Sequence, residues 1–143
     1  LVCMLELSKR IWRMNLSSGI SFNSPEAIAS YYMEELRHAS VEKTKVMFLN
    51  TKGALIRDME ISSGTVNASC LSSREIFINA LKYEAVNLVL IHNHPSGVPT
   101  PSPEDISITK AVKQAGDFIG IKLIDHVIIG DNCFVSLARE GYI

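Results

Sequence analysis

Two histidines one residue apart, His92 and His94, and an acid after a proline-rich loop, Asp105, are the residues of this chain whose types and spacing could do chemistry. In extended backbone alternate side chains share a face, so His92 and His94 aim one way and Asn93 the other. Strand geometry sets their Cα atoms about 6.5 Å apart, which lets two imidazoles reach one ion. Pro95 lacks a donor and ends the strand, so the pair lies at its carboxyl end, where ligand sites of α/β sheets gather. Ser102 suits a helix N-cap, Pro103 the first turn and Asp105 the third position, where the positive helix end keeps a carboxylate ionised. Two neutral imidazoles and a carboxylate suit one zinc ion per chain. Three protein ligands leave a fourth tetrahedral position for water, the mark of a catalytic site rather than a closed structural one.

Each half of this set has a bland reading. A strand His-x-His can be a pair of satisfied core histidines, and Ser-x-x-Asp is what any capped helix looks like. Together, two same-face histidines, a return loop and an acid at a helix start favour a metal. The string His92-Asn93-His94 is no HNH nuclease motif, because in those enzymes the three residues are spread over tens of positions. The His-x-Glu and Pro-Cys-x-x-Cys pattern of deaminases is absent.

The elements that must carry these groups follow from periodicity. Ser24-Pro25-Glu26 starts a helix on which Ile28, Tyr31, Tyr32, Leu36 and Ala39 recur at helical spacing. Residues 44–49 and 54–61 read as a hairpin around Asn50-Thr51-Lys52-Gly53, broken at Ser62-Ser63-Gly64, with a short extended piece at 65–69. Ser72 and Glu75 make a capping box for a second helix. The apolar run 85–91 fits a central strand leading into the histidines. A third helix runs from Ser102 to Gly116 or Gly120, and residues 121–129 and 133–137 close the sheet around Gly130-Asp131-Asn132. The fold class is α/β: a single mixed-sheet domain flanked by helices.

The 143 residues, 47% hydrophobic and 20% charged, fit one globular domain with its own core. A net charge of -1 gives no whole-domain attraction to nucleic acid or membrane. No apolar run reaches the roughly 18 residues of a membrane span. Three scattered cysteines, Cys3, Cys70 and Cys133, form no C-x-x-C pair. They read as small buried hydrophobes in a reducing cytoplasm. Residues 1–16 read as the end of a truncated helical region, residues 16–24 as a linker, and residues 17–143 as the domain. The chain starts without an initiator Met and reads as a fragment of a longer protein.

The run Ile91 to Asp105, Ile-His-Asn-His-Pro-Ser-Gly-Val-Pro-Thr-Pro-Ser-Pro-Glu-Asp, resembles the RadC family, a bacterial branch of the JAMM (MPN-plus) metallohydrolase fold. The JAMM pattern is an upstream glutamate, then His-x-His-Pro, a gap, and Ser-x-x-Asp. His92, His94, Pro95, Ser102 and Asp105 match it in order. Gly64-Thr65-Val66-Asn67-Ala68-Ser69 and Asp125-His126-Val127-Ile128-Ile129-Gly130-Asp131 are further RadC-like strings, and the similarity runs from about residue 24 to the C-terminus. The resemblance implies a JAMM/MPN-like domain with the layering of cytidine deaminases, His92, His94 and Asp105 as metal ligands, and Ser102 as a catalytic support. Glu42 occupies the place of the upstream glutamate before the first long strand, in competition with Glu34 and Glu35. RadC proteins usually carry a helix-hairpin-helix region upstream, and Leu5-Glu6-Leu7-Ser8-Lys9-Arg10 resembles its last helix.

The expected function is a zinc-dependent metallopeptidase-type hydrolase cutting an amide or isopeptide bond of an unknown peptide or protein substrate. Glu42 would act as the base and Ser102 as an oxyanion support or merely a helix cap. The alternative from another class is a DNA repair or recombination accessory domain without peptidase activity. Nucleic-acid contact would fall to Lys9, Arg10 and Arg13 or to Lys110 and Lys113, each of which also reads as a solvated helix face. A metal-free scaffold is a third reading, disfavoured by the intact ligand set. His126 is expected to serve the core or a local hydrogen bond, and His38 to sit near a helix end. The apolar Leu1–Leu5 end offers a surface to a second copy.

Overall fold

The computed structural model describes residues 21–64 and 72–143, together with Cys3, Met4 and Leu7. Helix α1 (Pro25–Leu36) starts as its residues dictate: the Ser24 hydroxyl accepts from the Ala27 amide at 3.2 Å and Pro25 fills the first turn. Strands β1 (Lys43–Leu49) and β2 (Leu55–Ser63) form the hairpin. The Asn50 side chain holds its turn by accepting from the amides of Lys52 and Ala54 at 2.9 and 3.0 Å. Helix α2 (Ser73–Lys82) is capped by Ser72, strand β3 (Asn87–Asn93) follows, and helix α3 (Pro103–Ile119) returns the chain to β4 (Lys122–Ile129) and β5 (Phe134–Ser136).

These strands make one mixed five-stranded sheet in the order β2-β1-β3-β4-β5. Strands β1 and β3 pair antiparallel, β3 and β4 parallel. The parallel pair needs a crossover, and α3 supplies it. Alternate residues of each strand feed opposite faces. Met47, Leu49, Val89 and Ile91 pack against Ile28, Tyr32 and Leu36 of α1. Val46, Phe48, Leu88 and Leu90 pack against Ile76, Phe77 and Ala80 of α2 and Val112 of α3. Strand β3 is therefore covered on both sides and buried almost throughout, as its unbroken apolar run requires. Each fully buried Leu, Ile or Phe here contributes about 1.5–3 kcal/mol.

The structure shifts some expected boundaries. Strand β3 starts at residue 87 rather than 85, and it runs into the histidine pair as expected, ending at Asn93. The amide of Ala85 is still bonded to Ala80 O at 2.9 Å to close α2, and Glu84 turns at φ 54°. At its other end pairing with β4 continues through His92 and Asn93 to Ile128 and Ile129. Strand β2 passes through Ser62 and Ser63, which pair with Thr44 and Lys43, and breaks at Gly64. The extended piece expected at 65–69, the helix end expected in residues 1–16, apart from three positions, and Cys70 lie outside the described residues. Cys3 and Cys133 are exposed and not buried hydrophobes. Cys133 belongs to the β4–β5 turn, outside the layers that α1, α2 and α3 cover.

That turn matters because the loop after β3 rests on it. His94 N donates to Ile129 O at 3.0 Å and Asp131 N to Gly97 O at 2.9 Å. Gly130 lies where the two segments meet: a Cβ there would collide with Gly97 O and come within 2.8 Å of Cys133 Sγ and 2.9 Å of Pro99 Cδ. The substitution Gly130→Ala is expected to cost about 1–3 kcal/mol in urea unfolding by overpacking this junction. An unchanged midpoint would show that the loop is not seated on the turn.

Candidate metal centre

The carboxyl end of β3 and the first turn of α3 meet at one point. Ligand-type atoms of Glu42, His92, His94 and Asp105 all lie within 4.8 Å of one another there, a group that could hold a metal ion. The Asp105 carboxylate straddles the two rings, with Oδ1 3.3 Å from His92 Nε2 and Oδ2 3.4 Å from His94 Nε2. The two Nε2 atoms are 3.0 Å apart. Ligands at 2.0–2.1 Å from a tetrahedral zinc are separated by about 3.3 Å, so the three side chains present one triangular face of such a set. Glu42 stands off this triangle, its Oε1 3.8 Å from His92 Nε2.

Each side chain is held from behind. The carbonyl of Val98 comes within 2.8 Å of His94 Nδ1 and accepts its proton, which leaves Nε2 of the neutral ring bare. The loop makes that return at Gly97, whose φ of 81° suits glycine. Asp105 is fixed by the reciprocal cap of α3. Ser102 N and Oγ donate to Asp105 Oδ2 at 2.7 and 2.8 Å, and Asp105 N donates to Ser102 Oγ at 3.1 Å. The Ser102 hydroxyl thus holds the carboxylate in place.

Asn93, between the histidines, faces the other way as alternation requires, and it too reaches the centre. Its Oδ1 accepts from Lys43 N at 2.9 Å and its Nδ2 donates to Val41 O at 3.1 Å. It therefore clamps the backbone on both sides of Glu42, while Gly64 N donates to the Glu42 carbonyl at 2.8 Å. The competing acids are engaged elsewhere: Glu35 meets Lys45 Nζ at 2.6 Å and Glu34 meets Arg37 at 3.2 Å. Geometry brings together Glu42, His92, His94, Ser102 and Asp105.

Sequence reading missed the partner of His92. His126, on the neighbouring strand, places Nε2 2.8 Å from His92 Nδ1, and its Nδ1 is 2.6 Å from Thr109 Oγ1. The sequence reading gave His126 only to the core or a local hydrogen bond and did not single out Thr109. The parallel register that sets His126 beside Leu90, two residues from His92, is a tertiary fact.

The charges show the strain of this convergence. Burial pushes the Asp105 carboxyl up, but the imidazoles of His92 and His94 beside it prevail and, with the Ser102 amide, hold it well below the usual carboxylate range. The hydrogen bond to Asp105 raises the His94 pKa against burial, with help from the Val98 carbonyl. Burial lowers that of His126 well below the ordinary value.

The family profile described as RadC-like JAB domain matches residues 22–142. A UPF0758 protein of Geobacillus sp. is 44% identical over 143 residues, covering 100% of this chain and 63% of that protein. A UPF0758 protein of Bacillus cereus is 43% identical over 143 residues, 100% of the chain and 64% of the relative. One of Caldanaerobacter subterraneus subsp. tengcongensis is 44% identical over 138 residues, 96% and 59% respectively. The chain thus spans about three-fifths of the length of these curated relatives. Among the described residues no helix is long and apolar enough to cross a membrane.

A raised histidine pKa contributes stability that is complete below its unfolded value and disappears as pH rises through the folded one. A lowered carboxyl pKa contributes stability that is lost as pH falls through its folded value. Metal-free protein is therefore expected to melt lower at pH 9 than at pH 6.5, as His94 loses its proton beside His92. Added zinc should raise the melting temperature most at the alkaline end, where no proton competes. Thermal melts of chelator-treated protein across pH check this; a metal-free midpoint that climbs from pH 6.5 to pH 9 would contradict the assignment.

Proposed function

The chain belongs to the RadC family of JAB-type domains, and on that premise we propose that it is a zinc-dependent hydrolase of amide or isopeptide bonds. The observation that carries this reading is the placement of one free carboxylate, Glu42, beside a triangle of three fixed ligand side chains. His92 and His94 through Nε2 and Asp105 through its carboxylate would hold the ion. When bound, zinc lowers the pKa of a water it ligates to about 7 and polarises a carbonyl oxygen.

The remaining work belongs to the chain's own groups. Glu42 is more open to solvent than the ligands His92 and Asp105, with 26% of its side chain exposed. Its Oε1 would accept a proton from the attacking water as the O–C bond forms. It would then deliver that proton to the leaving nitrogen as the C–N bond breaks. The cap that fixes Asp105 keeps Ser102 within reach of the same point. Its hydroxyl would support the oxyanion by turning its proton from Asp105 Oδ2 toward the developing charge. The substrate class that fits this chemistry is a peptide or protein, whose amide carbonyl the centre would polarise.

The rival reading, a DNA repair accessory domain, would draw among the described residues on Lys110 and Lys113, and Lys113 is already paired with Asp117 at 2.9 Å. Elemental analysis of purified protein, with His92→Ala and Asp105→Ala as comparisons, tests the metal. About one zinc per chain is expected in the wild type and little in either variant. Glu42→Gln should retain the metal yet lose at least ~10²-fold in kcat on a panel of fluorogenic peptide amides and isopeptides. Equal metal content in wild type and both variants would refute the centre, full activity of Glu42→Gln would remove the base, and salt-dependent DNA binding without hydrolysis would favour the rival.

A further inference from the structure

Behind His92 lies a buried chain of groups whose protons can be arranged in one way. The main-chain oxygen of Asp105 has no proton to give, so Thr109 must donate its single hydroxyl proton to it across 2.5 Å. The reverse assignment would press two lone pairs together at that distance. The same Thr109 oxygen lies 2.6 Å from His126 Nδ1, and with its proton committed it can only accept. His126 therefore carries its proton on Nδ1. Its ring is 2% exposed and its two nitrogens face Thr109 and His92, neither of them a carboxylate, so it is neutral and its Nε2 is bare. His92 Nδ1, 2.8 Å from that Nε2, must then be the donor. The proton of His92 is thereby held at Nδ1 and its Nε2 lone pair faces Asp105 and His94.

We propose that Thr109 and His126 are positioning residues that lock His92 into the tautomer able to bind metal through Nε2. They thereby set the metal affinity of a centre neither of them touches. The relay begins at the backbone of Asp105 itself, so the helix turn that supplies the carboxylate also fixes the proton of the histidine across from it. This rests on the metal-centre reading above. The plain alternative is that Thr109 makes the back-bond common to helical threonines and that His126 is a satisfied core residue.

Two measurements separate these. Long-range proton–nitrogen NMR of metal-free wild type above pH 8 should show His92 protonated on Nδ1. Competition with a chromogenic chelator should show zinc bound about 10–100-fold more weakly by Thr109→Val, which keeps the side-chain volume and removes the hydroxyl. Thr109→Ser should restore affinity to within a few-fold, with melting temperature recorded to separate binding from folding. Wild type that carries the His92 proton on Nε2 would overturn the proposal without any variant. So would a folded Thr109→Val that binds zinc as tightly as wild type. Wild type that binds no zinc but keeps the Nδ1 tautomer would sink the metal centre and leave the relay standing.

Discussion

The structure depends on an electrostatic constraint: two imidazoles and two carboxylates from three segments are packed with their ligand-type atoms within 4.8 Å of one another. Two bare imidazole nitrogens at 3.0 Å repel unless something positive lies in reach of both. A proton on His94 meets that need in part, and its hydrogen bond to Asp105 favours that proton; a divalent cation would meet it in full. Every other feature of the region can be understood as holding that unfavourable arrangement together. The fold supplies the force: a central strand buried on both faces and a helix whose cap is closed in both directions.

Each part of the arrangement is fixed by backbone as much as by side chain. The Val98 carbonyl orients one ring, the Ser102 amide orients the carboxylate, and the backbone flanking Glu42 is bonded to Asn93. Backbone groups carry little conformational freedom once their strand or helix has formed, so directing side chains from them costs little further entropy. The loop from His94 to Pro99 has no regular structure of its own. It is steadied by the β4–β5 turn beneath it, which explains why a segment outside the centre bears on it.

Much of this was legible in the residues. Alternation placed His92 and His94 on one face and Asn93 on the other, and Ser102-Pro103 with Asp105 announced the helix start that carries the carboxylate. Those are local rules, and they hold locally. Glu42 was found through family pattern and position, because nothing near it in sequence distinguishes it from Glu34 and Glu35; the ion pairs that occupy those two appear only once α1 packs beside β1. His126 was legible only as a residue of the core or of a local hydrogen bond, and Thr109 not at all. Their roles depend on the register of two parallel strands joined by a helix, and a register between distant segments leaves no local trace. The start of β3 was placed two residues early, because Ala85 still closes α2 through its bond to Ala80 O. Cys133 was misjudged because its composition-based tendency to be buried says nothing about a turn at the sheet's edge.

The clamp made by Asn93 has a consequence for how such a centre can change. Three consecutive residues at the end of β3 serve both halves of the group: the outer two, His92 and His94, face Asp105, and the middle one holds the backbone that presents Glu42. The separation of Glu42 from the two imidazoles is thus tied to strand stereochemistry rather than to the lengths of the loops that join the elements. A change in the length of a connection elsewhere would leave that spacing set by the same tripeptide.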